Sequence, residues 1–195
     1  LNEKGFFKRS GFERFTGRIN ADVTPVKWFK TGLMVYGTHQ SNSNYSDGNT
    51  SFNNPIYNAR IIAPVFPVHL HNMSTGEYIL DDNGQKIYDD GAANNRGQYV
   101  ARHAIWENEL NSRRTLINTL QAQAFADIRF LKDFTFTIRG DLNTRNTELR
   151  NYENPIVGDG SGNVGRVSRD NYRYKIYTFQ QQLNWNRYFG DHSLD

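Results

Sequence analysis

The chain has 195 residues, a hydrophobic fraction of 37% and a formal charge of +3, with 23 basic residues scattered among 20 acidic ones. Cysteine is absent, which excludes disulfides and thiolate metal sites. No apolar run approaches the roughly 18 residues of a membrane helix, and no basic stripe or motif marks a nucleic-acid surface, so no nucleic-acid partner is expected.

The opening Leu1-Asn2-Glu3-Lys4-Gly5 lacks the basic region and apolar core of a signal peptide. From about 13 to 24 the chain alternates. In Phe15-Thr16-Gly17-Arg18-Ile19-Asn20-Ala21-Asp22-Val23 the odd positions are small or apolar and the even ones polar, the period of a strand with two unlike faces. After the turn Pro25-Val26-Lys27 a second strand is predicted over 28–40. Facing Thr24 with Trp28 sets Val23 against Phe29, Ile19 against Leu33 and Gly17 against Val35 on one face, with Asp22 against Lys30 and Arg18 against Met34 on the other.

A long polar loop, about 41–113, follows. Asp47-Gly48-Asn49 has oxygen ligands but no complete acidic loop, so a turn is favoured over a calcium site. Pro64-Val65-Phe66-Pro67-Val68 reads as an extended or edge segment. His69 and His71 alternate, yet lack the companions a zinc site needs; no metal and no cofactor are expected. Tyr78 to Tyr88 reads as a hairpin around Asn83-Gly84, with both residues in the positive-φ positions of a primed turn. Tyr99, His103 and Trp106 are the loop's candidate ligand-contact residues, because aromatic faces stack on sugar rings while polar neighbours meet hydroxyls.

Strands are next predicted over 115–130 and 134–143, joined by Leu131-Lys132-Asp133. The pairs Ile128/Phe136, Ala126/Ile138, Ala124/Gly140 and Ala122/Leu142 share an apolar face, while Arg129/Thr135, Asp127/Thr137, Phe125/Arg139 and Gln123/Asp141 share a polar one. A second polar loop is predicted over 144–171, in which Asp159-Gly160-Ser161-Gly162-Asn163 reads as a flexible turn. In the strand predicted over 172–187, Tyr177, Phe179, Leu183 and Trp185 face one way and Thr178, Gln180, Gln182 and Asn184 the other, with Gln181 interrupting the apolar side. A turn at Phe189-Gly190-Asp191-His192 leads into a sixth strand from Ser193. Asp191-His192-Ser193 holds triad residue types, but neighbours on a tight turn cannot adopt triad geometry; no catalytic residue and no enzyme are expected.

The tight turns all lie at one end of these strands and the long loops at the other, the division seen in outer-membrane barrels. Trp28, Phe29, Phe130, Phe134, Trp185, Tyr188 and Phe189 crowd the short-turn end as a girdle would, and Tyr36, Tyr152, Tyr172 and Tyr174 lie near the long-loop end. The expected fold is therefore all-β: antiparallel up-and-down strands forming part of a large transmembrane barrel in the bacterial outer membrane. Five or six strands cannot close such a barrel, so the sequence is read as a segment of a larger protein.

Three runs carry a family resemblance. Arg14-Phe15-Thr16-Gly17-Arg18-Ile19-Asn20-Ala21-Asp22-Val23-Thr24-Pro25-Val26-Lys27-Trp28-Phe29-Lys30-Thr31-Gly32-Leu33 resembles a wall segment of the SusC/RagA family of TonB-dependent outer-membrane transporters. Ile128-Arg129-Phe130-Leu131-Lys132-Asp133-Phe134-Thr135-Phe136 and Leu183-Asn184-Trp185-Asn186-Arg187-Tyr188-Phe189-Gly190-Asp191-His192-Ser193-Leu194 are similar to its later hairpin and turn, in the same order. The resemblance implies a barrel of about twenty-two strands with a plugged lumen. It also implies glycan or peptide cargo, a SusD-like surface lipoprotein partner, and energy drawn through TonB by a plug and TonB box that are not in this chain. Two other readings compete: a soluble antiparallel β-sandwich that binds glycans, and a β-rich hydrolase. A second sheet covering Ile19, Leu33, Val35, Ile138 and Leu142 would favour the sandwich; an uncovered apolar band would exclude it.

Overall fold

The computed structural model describes residues 1–44, 54–93 and 99–194. One antiparallel sheet dominates, with six strands in chain order: β1 (Asn2–Lys4), β2 (Gly11–Val26), β3 (Phe29–Asn44), β4 (Ser112–Phe130), β5 (Phe134–Glu153) and β6 (Arg166–Trp185). A two-residue turn and a short ribbon of β7 (Arg187–Phe189) and β8 (His192–Leu194) follow. The all-β, up-and-down expectation holds.

The strands outrun the sequence pattern. β5 and β6 pair without interruption from Phe134/Trp185 to Glu153/Arg166, so the loop expected over 144–171 shrinks to 154–165. Beyond Leu142 and Tyr177 polar residues occupy both faces, which erases the alternation, but a ladder of backbone hydrogen bonds does not depend on it. The longer excursion likewise begins only after Asn44 and ends before Ser112.

The first hairpin is offset by two residues from the expected register. Val23 pairs with Thr31 and Ile19 with Val35, and the chain reverses through Lys27-Trp28 between Val26 and Phe29. The ladder is irregular between Val23 and Val26, where Pro25 has no N–H to give. An even offset keeps every side chain on its expected face. All eight pairs expected for the second hairpin form, closed by Leu131 and Lys132 at φ 47° and 63°.

Following the register across the sheet exposes a band. On one face the rows Ile19/Val35/Ala122/Leu142/Tyr177, Ala21/Leu33/Ala124/Gly140/Phe179 and Val23/Thr31/Ala126/Ile138/Gln181 lead down to Phe29/Ile128/Phe136/Leu183 and Phe130/Phe134/Trp185. No charged residue stands in these rows. They occupy nine residues of each of β4 (122–130), β5 (134–142) and β6 (177–185), which matches the about 9–11 residues of a transmembrane strand. Ile19 is 72% exposed and Leu33 51%, and among the described residues no second sheet lies over them. A sandwich needs that second layer to bury this face, so the sandwich alternative fails.

Register adds the face of the aromatics at the long-loop end: Tyr36, Tyr172 and Tyr174 stand on the polar face, in the parity of Gln121 and Asn143, while Phe15, Tyr152 and Tyr177 stand on the band-bearing face. Proximity in sequence to a strand end did not specify the side.

Above the band the excursion between β3 and β4 folds into a cap with two helices, α1 (Pro55–Ile61) and α2 (Ala104–Leu110), neither of which was expected. Seven residues are too few to display helical periodicity. Their starts are set locally: the Asn54 side chain accepts from the Ile56 and Tyr57 N–H groups with Pro55 in the first turn, and His103 caps α2. Pro64-Val65 forms a turn closed by the Phe66 N–H on Ala63 O (3.1 Å), not an extended strand. The Asn83-Gly84 hairpin forms with only Gly84 at positive φ (76°): Gly84 N–H reaches Asp81 O and Asp81 N–H reaches Gln85 O, a turn with one left-handed residue in place of a primed pair. Buried Val157, Asn154, Asp89 and Glu107 lie in the cap and the 154–165 loop, so the densest packing sits at the long-loop end and the sheet is a single wall.

Candidate functional site

The polar face of the sheet carries the first candidate. Low on the wall its groups satisfy one another: Gln123 Nε2 donates to Asp141 Oδ1 (2.6 Å), Thr137 Oγ1 donates to Asp127 Oδ1 (2.8 Å), and Lys30 Nζ lies 3.7 Å from Asp22. Phe125 lies across Gly32, where any Cβ would collide with its ring, and Lys30 Nζ stands 5.5 Å from that ring's centre. Higher up, the same face opens into a groove of about 670 Å³ floored by Gln121, Asn143 and Arg145 and walled by Tyr172, Tyr174 and Ile176. Both tyrosines are at least half exposed, and Arg145 makes no ion pair among the described residues. Exposed ring faces beside amide and guanidinium donors suit a sugar ring or a peptide backbone. Even-numbered positions of β6 share the parity of Thr178 and Gln180, so the alternation already held the signal that places Tyr172 and Tyr174 here.

The cap holds the residues expected from sequence. His103 is buried and both ring nitrogens are engaged: Nδ1 accepts from the Trp106 N–H (3.1 Å), which leaves Nε2 to donate to Val68 O (2.9 Å). The neutral tautomer with hydrogen on Nε2 fits both bonds. Glu107 Oε1 accepts from the His103 N–H (2.9 Å), a reciprocal cap at the head of α2. Trp106 stacks on Tyr88 with centroids 5.5 Å apart and planes at 20°, and Tyr88 also contacts His103. Tyr99 is half-buried at φ 57°. His103 and Trp106 are thus brought together, but His103 serves as a helix cap with no ring nitrogen left for a ligand. Between α1 and α2 lies a mostly apolar cavity of about 400 Å³, lined in part by Ile62, Phe66, His103 and Ile105.

The electrostatics of the cap follow from burial. Desolvation holds the Glu107 carboxyl above its ordinary value, against the pull of the His103 N–H and Arg102. Tyr88 Oη donates to Glu109 Oε2 (2.7 Å), and burial together with that carboxylate pushes the phenol up to about 12. The same hydrogen bond, then Lys8, lowers Glu109. His69 and His71 pack against Tyr78 and Tyr88, and no group of three or more metal-ligating side chains occurs among the described residues. Asp159 pairs with Arg102, and Ser161 to Asn163 form a single 3₁₀ turn. Asp47-Gly48-Asn49 lies outside the described residues.

No family model matches the chain. Its sequence is similar to "TonB-dependent receptor P3" of Formosa agariphila, 25% identical over 197 residues, covering 98% of this chain and 18% of that protein. Its fold is similar to a chain of the "RagAB peptide transporter" structure, with a TM-score of 0.59 and 15% identity over 93% of this chain and 19% of the other. The chain therefore spans about a fifth of the length of the proteins it matches. The first likeness is one of sequence, to a protein named as a TonB-dependent receptor, and the second is one of fold alone.

Proposed function

We propose that this chain forms part of the wall and external cap of a TonB-dependent transporter in the bacterial outer membrane. The observation that carries the reading is the uncovered, charge-free apolar band, backed by a polar face and bounded below by two- and three-residue turns. Lipid covers the band, cargo passes along the polar face, and the cap faces outward. Glycan or peptide cargo meets Tyr172, Tyr174 and Arg145 on the wall, with Tyr99 and Trp106 as contacts higher up. A SusD-like surface lipoprotein closes over the cap, and TonB drives transport through parts of the protein outside this segment.

Cysteine scanning tests the two faces, since the chain has no cysteine of its own. In intact protein in its outer membrane, Phe179→Cys and Ala124→Cys are expected to resist a membrane-impermeant maleimide. Asn143→Cys and Thr178→Cys are expected to react once the lumen is accessible. Equal labelling of both sets in water refutes the membrane reading.

A further inference from the structure

The charge pattern changes abruptly at the outer edge of the apolar band. The first row beyond it, Gly17/Gly37/Leu120/Thr144/Lys175, introduces Lys175, and the next, Phe15/His39/Asn118/Asn146/Arg173, introduces Arg173. Both side chains project from the face that carries the band. Two rows further, Arg114, Arg150 and Arg169 stand side by side on that same face. Against these five cations the four rows offer two carboxylates, Glu13 and Glu148, and Glu148 is already shared between Arg150 (2.7 Å) and Arg169. Arg173 and Lys175 make no ion pair among the described residues.

The two free cations line a groove. It has a volume of about 320 Å³ and is bordered on the band-bearing face by Asn118, Asn146, Asn171, Arg173 and Lys175, and also by Glu148, whose carboxylate is held by Arg150 and Arg169. His39 Nδ1 and Asn118 Oδ1, 2.7 Å apart, close its β3 side. Amide donors flanking two unpaired cations make an anion-binding set, and its height is fixed by the register immediately above the last lipid-covered row. At that height a bilayer presents headgroups. A soluble anion would gain nothing from the adjoining apolar band, whereas a lipid places its acyl chains on Tyr177 and Leu142 while its phosphate reaches Lys175 and Arg173.

We propose that this groove binds the phosphate-bearing headgroup of an anionic lipid in the outer leaflet, anchoring the wall at a fixed depth. The proposal rests on the membrane reading given above. Lipid A, a phosphorylated glycolipid, is the probe, and native mass spectrometry of the intact detergent-solubilised protein is the readout. Wild type is expected to retain lipid A, with retention falling as salt rises from about 0.1 to about 1 M and the screening length contracts from about 10 to about 3 Å. The pair Arg173→Glu and Lys175→Glu is expected to reduce retention at least tenfold, and Arg173→Lys to preserve it. A barrel that stays folded and detergent-dependent but holds lipid A equally well in wild type and charge-reversed form, or equally well at both salt concentrations, overturns this proposal alone. A wild-type protein that is monodisperse without detergent overturns the membrane reading as well.

Discussion

Gly158 lies directly against the Glu107 carboxyl group, so close that any Cβ at 158 would overlap it, and its φ of 86° is one that side-chain-bearing residues seldom adopt. The Gly158 N–H meanwhile donates to Ala101 O (3.0 Å), fastening the 154–165 loop to the segment entering α2. Gly158→Ala is therefore expected to cost about 1–3 kcal/mol in strain at 158, with Glu107 displaced in addition. Hydrogen exchange should show faster opening of residues 104–110 with unchanged protection along β4 and β5. Unchanged protection at 104–110 would refute the interlock.

Glu107 gives the cap a pH dependence. Its folded value is raised by burial, so the stability it contributes is complete below its ordinary value of 4.5 and is lost as pH rises through the raised value. Glu107→Gln keeps an acceptor for the His103 N–H and removes the ionisation. The gap in cap protection between variant and wild type is expected to widen in the variant's favour from about pH 4 to about pH 7. A gap that does not move with pH would contradict this.

The two faces of β4 should respond oppositely to the same change. Ala124 sits in the middle of the apolar band, and Ala124→Arg is expected to cost about 2–4 kcal/mol, a figure typical of arginine at mid-bilayer. Gln123, its neighbour on the polar face, already bonds Asp141, so Gln123→Arg finds a carboxylate and is expected to be tolerated. Denaturant titration of the refolded barrel in lipid measures both. Similar losses at 123 and 124 would count against a two-sided wall.

Tyr172 and Tyr174 supply the aromatic side of the polar-face groove. Replacing both with alanine is expected to weaken cargo contact by about 1–3 kcal/mol in total, at about 0.5–1.5 per aromatic pair. Growth on the transported nutrient should slow about fivefold or more at limiting concentration, while barrel stability stays unchanged because neither ring is buried. Normal growth would remove the groove from the cargo path.

How much of this was legible beforehand differs by region. The second hairpin was readable pair by pair because Ala122 to Ile128 and Phe134 to Leu142 alternate without a break and a tight turn fixes their offset. The first was readable only to parity, because Pro25 disturbs the ladder near the turn and two even offsets satisfy the same alternation. His103 and Trp106 stood out as residue types, but their roles as cap and stacking partner depend on Val68, Tyr88 and Glu107, which sequence spacing alone does not assemble.

The sequence by itself determined the two-faced wall: strand identity, facing parity and the end at which turns are short follow from a period of two and from local turn chemistry, both short-range. Only the tertiary structure decided where the apolar band stops, that Tyr172 and Tyr174 stand beside Arg145, and that Arg173 and Lys175 crown the band. Those facts depend on the register between strands distant in sequence and on a cap stitched by contacts such as Asn111–Asn154 and Arg102–Asp159. Where no tight turn joins two strands, neighbours along one carry no record of which residues will stand beside them in the other.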